Sequence, residues 1–153
     1  MQLSPHFTLE EFTFSETAFR KKIDNTPSPE SIANIRYLCA HVLEPVRAHF
    51  GRPVEITSGY RCPSLCRAIG SKPTSQHTAQ RQDAAADFRV VGVPNADVAE
   101  WIRHNLEFDQ LILEGPAGSR GWVHCSYTYA RKQRKMVGLM DSQGYYWGDL
   151  RRP

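Results

Sequence analysis

The sequence lacks the long hydrophobic run that a membrane-spanning helix requires. A bilayer is crossed by about 20 consecutive apolar residues, and no stretch of this chain approaches that length. The first turns of the sequence are also too polar and acidic for a secretory signal peptide. We therefore expect a soluble protein that is cytoplasmic as made and has no membrane partner.

Concentrated positive charge is missing as well. The 153 residues carry a formal net charge of +3, from 19 Lys and Arg against 16 Asp and Glu. Nucleic-acid-binding proteins show a dense basic face, so we expect no nucleic-acid partner. The short basic run from Arg131 to Lys135 is interpreted as a solvated segment.

Cysteine is scarce, with Cys39, Cys62, Cys66 and Cys125 as the only four in the sequence. Disulfides are rare in proteins that stay in a reducing compartment, so these thiols are expected to be reduced. Cys62 and Cys66 have no convincing further pair of ligands nearby, which argues against a closed structural zinc site. Buried or half-buried packing thiols are the preferred interpretation.

The length predicts one compact domain over residues 1–153, with no internal repeat or linker. Helices are predicted to begin at Thr8, at Ser28 with a bend or division at Pro45, and at Asn95 as an N-cap. Strands are predicted over residues 54–57, 86–91, 110–114 and 121–127. This order of elements indicates an α+β fold in which helices flank a small antiparallel sheet.

Two histidines and one aspartate are candidate metal ligands. His77 follows Ser75 and Gln76, Asp87 follows two alanines, and His124 follows Trp122 and Val123. Two imidazoles and one carboxylate hold zinc in catalytic sites and leave one coordination position open, whereas structural sites are closed and usually contain thiolates. This set of residue types therefore points to catalysis.

Several segments match, in order, those of a known group of enzymes. They are Leu9-Glu10-Glu11-Phe12, Thr57-Ser58-Gly59-Tyr60-Arg61-Cys62-Pro63, Ser75-Gln76-His77, Ala85-Ala86-Asp87-Phe88, Phe108-Asp109-Gln110-Leu111-Ile112 and Trp122-Val123-His124-Cys125-Ser126-Tyr127. The chain resembles the zinc D-Ala-D-Ala carboxypeptidases found among bacterial cell-wall peptidases and phage endolysins. The resemblance covers most of the chain and implies the hedgehog/DD-peptidase fold.

The resemblance also implies roles for particular residues. His77, Asp87 and His124 match the ligands of a single zinc ion. Arg61 matches an arginine that holds a substrate carboxylate, a contact for which a planar guanidinium is suited. Ser75 resembles a position that helps to anchor the peptide. Without the resemblance, the alternatives are that Arg61 pairs with a nearby carboxylate and that Ser75 caps a turn.

The general base departs from the pattern of these enzymes. Many relatives place an acidic residue three positions before the last histidine, where this chain has Gly121. Glu114 is the preferred substitute, because it ends a predicted strand just before the turn that leads to His124 and antiparallel pairing would return it to the metal. Asp109 is the next candidate.

The spacing of the first two ligands also departs from the pattern. Asp87 follows His77 by ten residues, where relatives commonly have seven. Residues 78–83 are interpreted as a longer connection. Asp83 is an alternative ligand, although the sequence around Asp87 and the strand after it favour Asp87.

Two classes of function follow from the resemblance. The first is zinc-dependent hydrolysis of a peptide bond in peptidoglycan stem peptides, by a D-Ala-D-Ala carboxypeptidase or an endolysin-type endopeptidase. The second is a catalytically silent phage structural or cell-wall-binding module of the same fold, for which Gly121 and the longer loop are the motivation. We expect a monomer that acts at the bacterial cell wall after release, or as a component of a phage virion.

Overall fold

The fold combines helices with one large mixed sheet and a small two-stranded ribbon. The computed structural model describes residues 1–115 and 121–153. Along the chain the elements are β1 (Gln2–Ser4), β2 (Phe7–Thr8), α1 (Leu9–Thr13), α2 (Glu16–Lys21), α3 (Pro29–Leu38), a π-helical turn (Cys39–Leu43), α4 (Glu44–Phe50), β3 (Val54–Ser58), α5 (Pro63–Ala68), a 3-10 turn (Gln76–Thr78), β4 (Asp83–Val90), α6 (Asn95–Asn105), β5 (Gln110–Glu114), β6 (Trp122–Thr128), β7 (Met136–Asp141) and β8 (Gly144–Trp147).

The large sheet has the strand order β3-β4-β6-β5-β7-β8. Every neighbouring pair is antiparallel except β5 and β7, which are parallel. The predicted α+β class is confirmed. The sheet is larger than predicted and mixed rather than antiparallel, because the chain leaves β6, passes the start of β5 and adds two further strands beyond it.

The two faces of the large sheet differ in chemistry because successive strand residues point to opposite sides. On one face Phe88, Val123 and Leu111 are fully buried in the core that the helices cover. The opposite face carries Asp87 and His124, which are cross-strand partners. This polar face holds the candidate site.

The predicted starts of the first two helices are confirmed. Thr8 and Glu11 form a capping box at α1, which satisfies backbone groups that the helix leaves unpaired. The Ser28 hydroxyl accepts a hydrogen bond from the Ser31 amide at the start of α3. The predicted division near Pro45 is also present, as the π-helical turn Cys39–Leu43 immediately before it. Proline has no amide hydrogen to donate and is tolerated in the first turn of a helix, which is where Pro45 lies in α4.

Other boundaries were wrong by a few residues. Asn95 is the first residue of α6 rather than its N-cap, which is Pro94. The strand predicted to start at residue 86 begins at Asp83, because Asp83 pairs with Thr128 of β6. Helices α2 and α5 were not predicted. Within the described ranges, no helix is long and apolar enough to cross a bilayer.

The four cysteines are free and buried. The Cys62 sulfur accepts a hydrogen bond from the Leu65 amide at the start of α5. Burial raises the pKa of the Cys39 thiol to about 12 and raises that of Cys125. Thiols protonated at neutral pH are poor nucleophiles and metal ligands, so these two side chains serve as packing groups.

Candidate metal centre and active site

The candidate metal ligands come from three separate parts of the chain. Asp87 in β4 lies directly opposite His124 in β6. His77 belongs to the 3-10 turn Gln76–Thr78 that packs against β4. All three side chains are buried. The fold therefore brings together residues that are up to 47 positions apart in the sequence.

Three ligand atoms form a compact triangle. The distance from His77 Nε2 to His124 Nδ1 is 3.3 Å, and that from His77 Nε2 to Asp87 Oδ1 is also 3.3 Å. His124 Nδ1 lies 2.9 Å from Asp87 Oδ1. Among the residues described, this is the group of His, Cys, Asp and Glu side chains with the geometry to hold a metal ion.

The size of this triangle fits zinc. Zinc lies about 2.0–2.2 Å from histidine nitrogens and carboxylate oxygens in tetrahedral sites, which places neighbouring ligand atoms roughly 3.3–3.6 Å apart. The observed separations of 2.9–3.3 Å are close to that edge length. These three residues would hold a zinc ion and leave its fourth position for a reactant.

His77 is held in the orientation that a metal ligand needs. Its Nδ1 lies 2.7 Å from the Gly59 carbonyl oxygen, and a carbonyl can only accept, so Nδ1 carries the hydrogen. The Nε2 lone pair then faces the centre of the triangle. Burial lowers the pKa of His77, against the opposing effect of Asp87. The Arg61 amide also donates to the His77 carbonyl at 2.9 Å, so this turn and residues 59–61 hold each other in place.

Arg61 orients the carboxylate of Asp87. Its Nη2 donates to Asp87 Oδ2 at 2.7 Å, and its Nε donates to the Ser58 hydroxyl at 2.9 Å. Burial disfavours ionisation of Asp87, but the neighbouring His77 and His124 outweigh it and lower the pKa. One carboxylate oxygen therefore faces the histidines while the other is neutralised by the guanidinium, an arrangement typical of groups that position a metal ligand.

The longer connection between His77 and Asp87 is accommodated by a tight turn. Ala79, Arg81 and Gln82 have positive φ angles of 49°, 57° and 60°, which compress the chain before β4 begins. The turn leaves Asp87 in register with His124. The Asp83 carboxylate accepts a hydrogen bond from Gln76 Nε2 at 3.2 Å and lies outside the ligand triangle.

Glu114 faces the same side of the sheet as the ligand triangle. Its cross-strand partner is Trp122, two residues before His124, and its side chain lines the same cleft as the three ligands. Burial raises the pKa of Glu114, and the negative charge of Asp87 raises it further. A carboxyl group with a raised pKa binds a proton more readily, as a general base requires.

Asp109 occupies a different environment. Its fully buried carboxylate accepts hydrogen bonds from Arg131 at 2.6 Å, from Arg134 at 2.6 Å and from Gln76 at 2.9 Å. Burial opposes ionisation, but the two guanidinium groups dominate and lower the pKa of Asp109. A carboxylate so fully engaged is a weak base, so the geometry favours Glu114 for this role.

The segment from Arg131 to Lys135 is largely exposed, in agreement with its interpretation as a solvated segment, but two of its arginines also have a structural role. Arg131 and Arg134 bind Asp109 and fasten the connection between β6 and β7 to the start of β5. The run of basic residues did not indicate these ion pairs, because their buried partner, Asp109, lies 22 and 25 positions earlier in the sequence.

Comparison with known proteins agrees with this geometry. The sequence model of the Peptidase M15 family matches residues 5–126. The chain belongs to the Peptidase M15 family. A search of curated proteins found no match. The matched region of this M15 peptidase includes the ligand triangle and Glu114, and it ends within β6, before β7 and β8.

The M15 site opens into a cleft of about 760 Å³. Arg61 and Ser75 both line it, together with Trp122. The Ser75 hydroxyl accepts a hydrogen bond from the His77 amide at 3.3 Å, so it caps the turn that carries the ligand. Substrate binding by Arg61 and Ser75 stays a prediction; each also has a contact that positions a candidate metal ligand.

Two residues that support the site were not identified from the sequence. Gly59 supplies the carbonyl that orients His77, and a Cβ atom there would lie 2.7 Å from the Phe12 Cα. Asn25 Nδ2 donates a hydrogen bond to the Tyr60 carbonyl at 3.0 Å, and Asn25 Oδ1 accepts one from the Cys62 amide at 2.8 Å. Gly59 lies in a motif that was recognised in the sequence. No sequence pattern marks Asn25, because its role depends on a contact with a residue 35 positions away.

Proposed function

We propose that this M15 peptidase hydrolyses a peptide bond in peptidoglycan stem peptides and uses one zinc ion held by His77, Asp87 and His124. The observation that carries the proposal is the triangle of ligand atoms beside a buried glutamate in an open cleft. The family match to a peptidase supports it. The buried, oriented ligands leave one side of the triangle facing the cleft, where a peptide can enter.

The donor set suits zinc, which when bound polarises a scissile carbonyl and lowers the pKa of water toward neutrality. Glu114 takes a proton from the attacking water and passes it to the leaving amine, as its raised pKa favours. Arg61 orients the carboxylate of Asp87 through its hydrogen bond to Oδ2. Its remaining N–H groups are the proposed donors to a substrate carboxylate, and Ser75 is the proposed anchor for the peptide backbone.

The test is a comparison of Glu114→Gln with an exposed control, Glu107→Gln. Loss of a general base typically lowers turnover by about 10²–10⁴-fold. Glu114→Gln should therefore bind zinc normally and lose turnover by that factor on purified stem peptides, followed by mass spectrometry. Glu107→Gln should match the wild type. Unchanged turnover in Glu114→Gln would remove this residue from the mechanism.

The products of the same assay identify the bond that is cut. Release of a terminal D-Ala indicates a carboxypeptidase, and release of a longer fragment indicates an endopeptidase. We further propose that the protein acts at the bacterial cell wall, either after release from the cell or as part of a phage virion.

A catalytically silent wall-binding or structural module is the second candidate. Gly121 favours this second candidate, because relatives commonly carry the acidic general base at that position. A Cβ atom on Gly121 would lie only 2.3 Å from the Glu114 carbonyl oxygen, so this backbone has no room for an acidic side chain there. Zinc-loaded protein that binds stem peptides without cleaving them would support the second candidate over the first.

A further inference from the structure

The last two strands form a wall of the cleft although they lie outside the family match. The match ends at residue 126, whereas β7 and β8 span Met136–Asp141 and Gly144–Trp147. Tyr145 and Trp147 in β8 line the cleft together with Glu114 and His124. This wall is therefore contributed by residues outside the matched region.

Tyr145 and Trp147 present two parallel aromatic rings to this cleft. Their ring centroids are 5.9 Å apart and their planes differ by 5°. The two residues are 59% and 44% exposed. Trp147 packs over Gly138 of β7, where a Cβ atom would lie 2.8 Å from the indole Cε3. The absence of a side chain at Gly138 thus allows the indole to lie against the sheet.

The sheet register sets the distance between this aromatic pair and the metal ligands. His124 lies opposite Ile112, Ile112 beside Gly138, and Gly138 opposite Trp147. Three strand spacings separate His124 from Trp147, which is roughly 14 Å. Because the indole lies back over Gly138, its ring is nearer to His124, at roughly 10 Å. An extended peptide of three to four residues covers about 10–14 Å.

We propose that Tyr145 and Trp147 form a subsite for a sugar ring of the glycan strand that carries the stem peptide. The inference rests on the proposed function. The alanine methyl groups of a stem peptide are too small to cover two exposed aromatic rings, whereas the C–H face of a sugar ring matches one in size. Tyrosine and tryptophan provide large amphipathic contact surfaces at low cost in side-chain entropy. The distance between the aromatic pair and the metal ligands places the scissile bond three to four residues away from the sugar, toward the carboxyl end of the stem peptide.

The kinetic test compares a stem peptide attached to its disaccharide with the same peptide free. Trp147→Ala and Tyr145→Ala should each raise KM for the disaccharide-peptide by about 3–10-fold. The kcat values and KM for the free peptide should stay within about twofold of the wild type. Phe19→Ala, which removes an aromatic side chain that is 86% exposed and does not line the cleft, should change neither KM. Equal increases for both substrates would assign the pair to the peptide and overturn the sugar subsite, as would no increase at all.

A binding measurement separates this inference from the proposed activity. The chain has three tryptophans, so its indole N–H signals in an NMR spectrum can be assigned with single Trp variants. Titration of Glu114→Gln with the disaccharide alone should shift the Trp147 signal, whatever the enzyme cleaves. If the wild type cleaves neither substrate, the proposed function fails while this titration still decides the subsite. A Trp147 signal that does not move at millimolar sugar would overturn the inference.

Discussion

Gly59→Ala should weaken zinc binding without touching a ligand. A Cβ atom on residue 59 would lie 2.7 Å from the Cα and 2.8 Å from the carbonyl oxygen of Phe12. Both obstacles are backbone atoms, so helix α1 or the segment at residue 59 must shift. The Gly59 carbonyl accepts the hydrogen bond from His77 Nδ1, and a shift would therefore release the imidazole from its orientation.

The magnitude follows from two separate effects. Overpacking of a close contact typically costs about 1–3 kcal/mol, which for a chain of this size lowers Tm by about 2–12 °C. Loss of the contact that orients a metal ligand typically weakens metal affinity by about 10–100-fold. Thermal unfolding of metal-free protein measures the first effect, and competition with a chelator measures the second.

Gly51→Ala is the matched control. Gly51 has a φ of +61°, and a Cβ atom on this residue would meet no heavy atom within 4 Å. Alanine there therefore introduces backbone strain of about 1–2 kcal/mol but no clash. It should lower Tm and leave zinc affinity unchanged. If Gly59→Ala bound zinc as tightly as the wild type, the carbonyl of residue 59 would not be orienting His77 and the reasoning would be refuted.

Three further predictions concern stability. Asp109→Asn should cost about 1–3 kcal/mol in urea unfolding, less than for a fully buried ion pair, because Arg131 and Arg134 are partly exposed and can hydrate; no change would contradict the anchoring role. Burial raises the pKa of Asp83 to about 6, so the folded state binds a proton at this carboxyl more tightly than the unfolded chain does. The resulting stabilisation is present at low pH and is lost as the pH rises through 6. Asp83→Asn should therefore raise Tm relative to the wild type at pH 7.5, with a smaller difference near pH 4, and a pH-independent difference would exclude this cause. Thr8→Ala should cost about 0.5–2 kcal/mol through loss of the capping box at α1, and an unchanged Tm would argue against that cap.

Local sequence patterns predicted the parts of the fold that depend on local chemistry. The capping box of Thr8 and Glu11, the division of the helix before Pro45 and the presence of strand β6 all follow from neighbouring residues. Strands β7 and β8 were missed because their pairing is set by contacts with distant β5. Gly138 also weakens the strand signal of β7, since glycine is depleted in strands.

The candidate site was likewise predicted from the sequence only in part. The types and order of His77, Asp87 and His124 predicted that they would meet, and the structure places their ligand atoms together. A pairing of Arg61 with a carboxylate was an alternative at the sequence level, but Asp87 was not identified as the partner, because the spacing of 26 residues says nothing about which carboxylate the guanidinium reaches. The engagement of Asp109 by two arginines depends likewise on how the chain returns after β6.

The most direct measurement is zinc content per chain, by elemental mass spectrometry on tag-free protein that was equilibrated with zinc and then desalted. His77→Ala provides the ligand variant, and His104→Ala, an exposed histidine on α6, provides the control. The wild type and His104→Ala should hold about one zinc per chain, and His77→Ala should hold far less. A wild type without zinc, or a His77→Ala variant with full zinc content, would contradict the assignment of His77, Asp87 and His124 as the metal site.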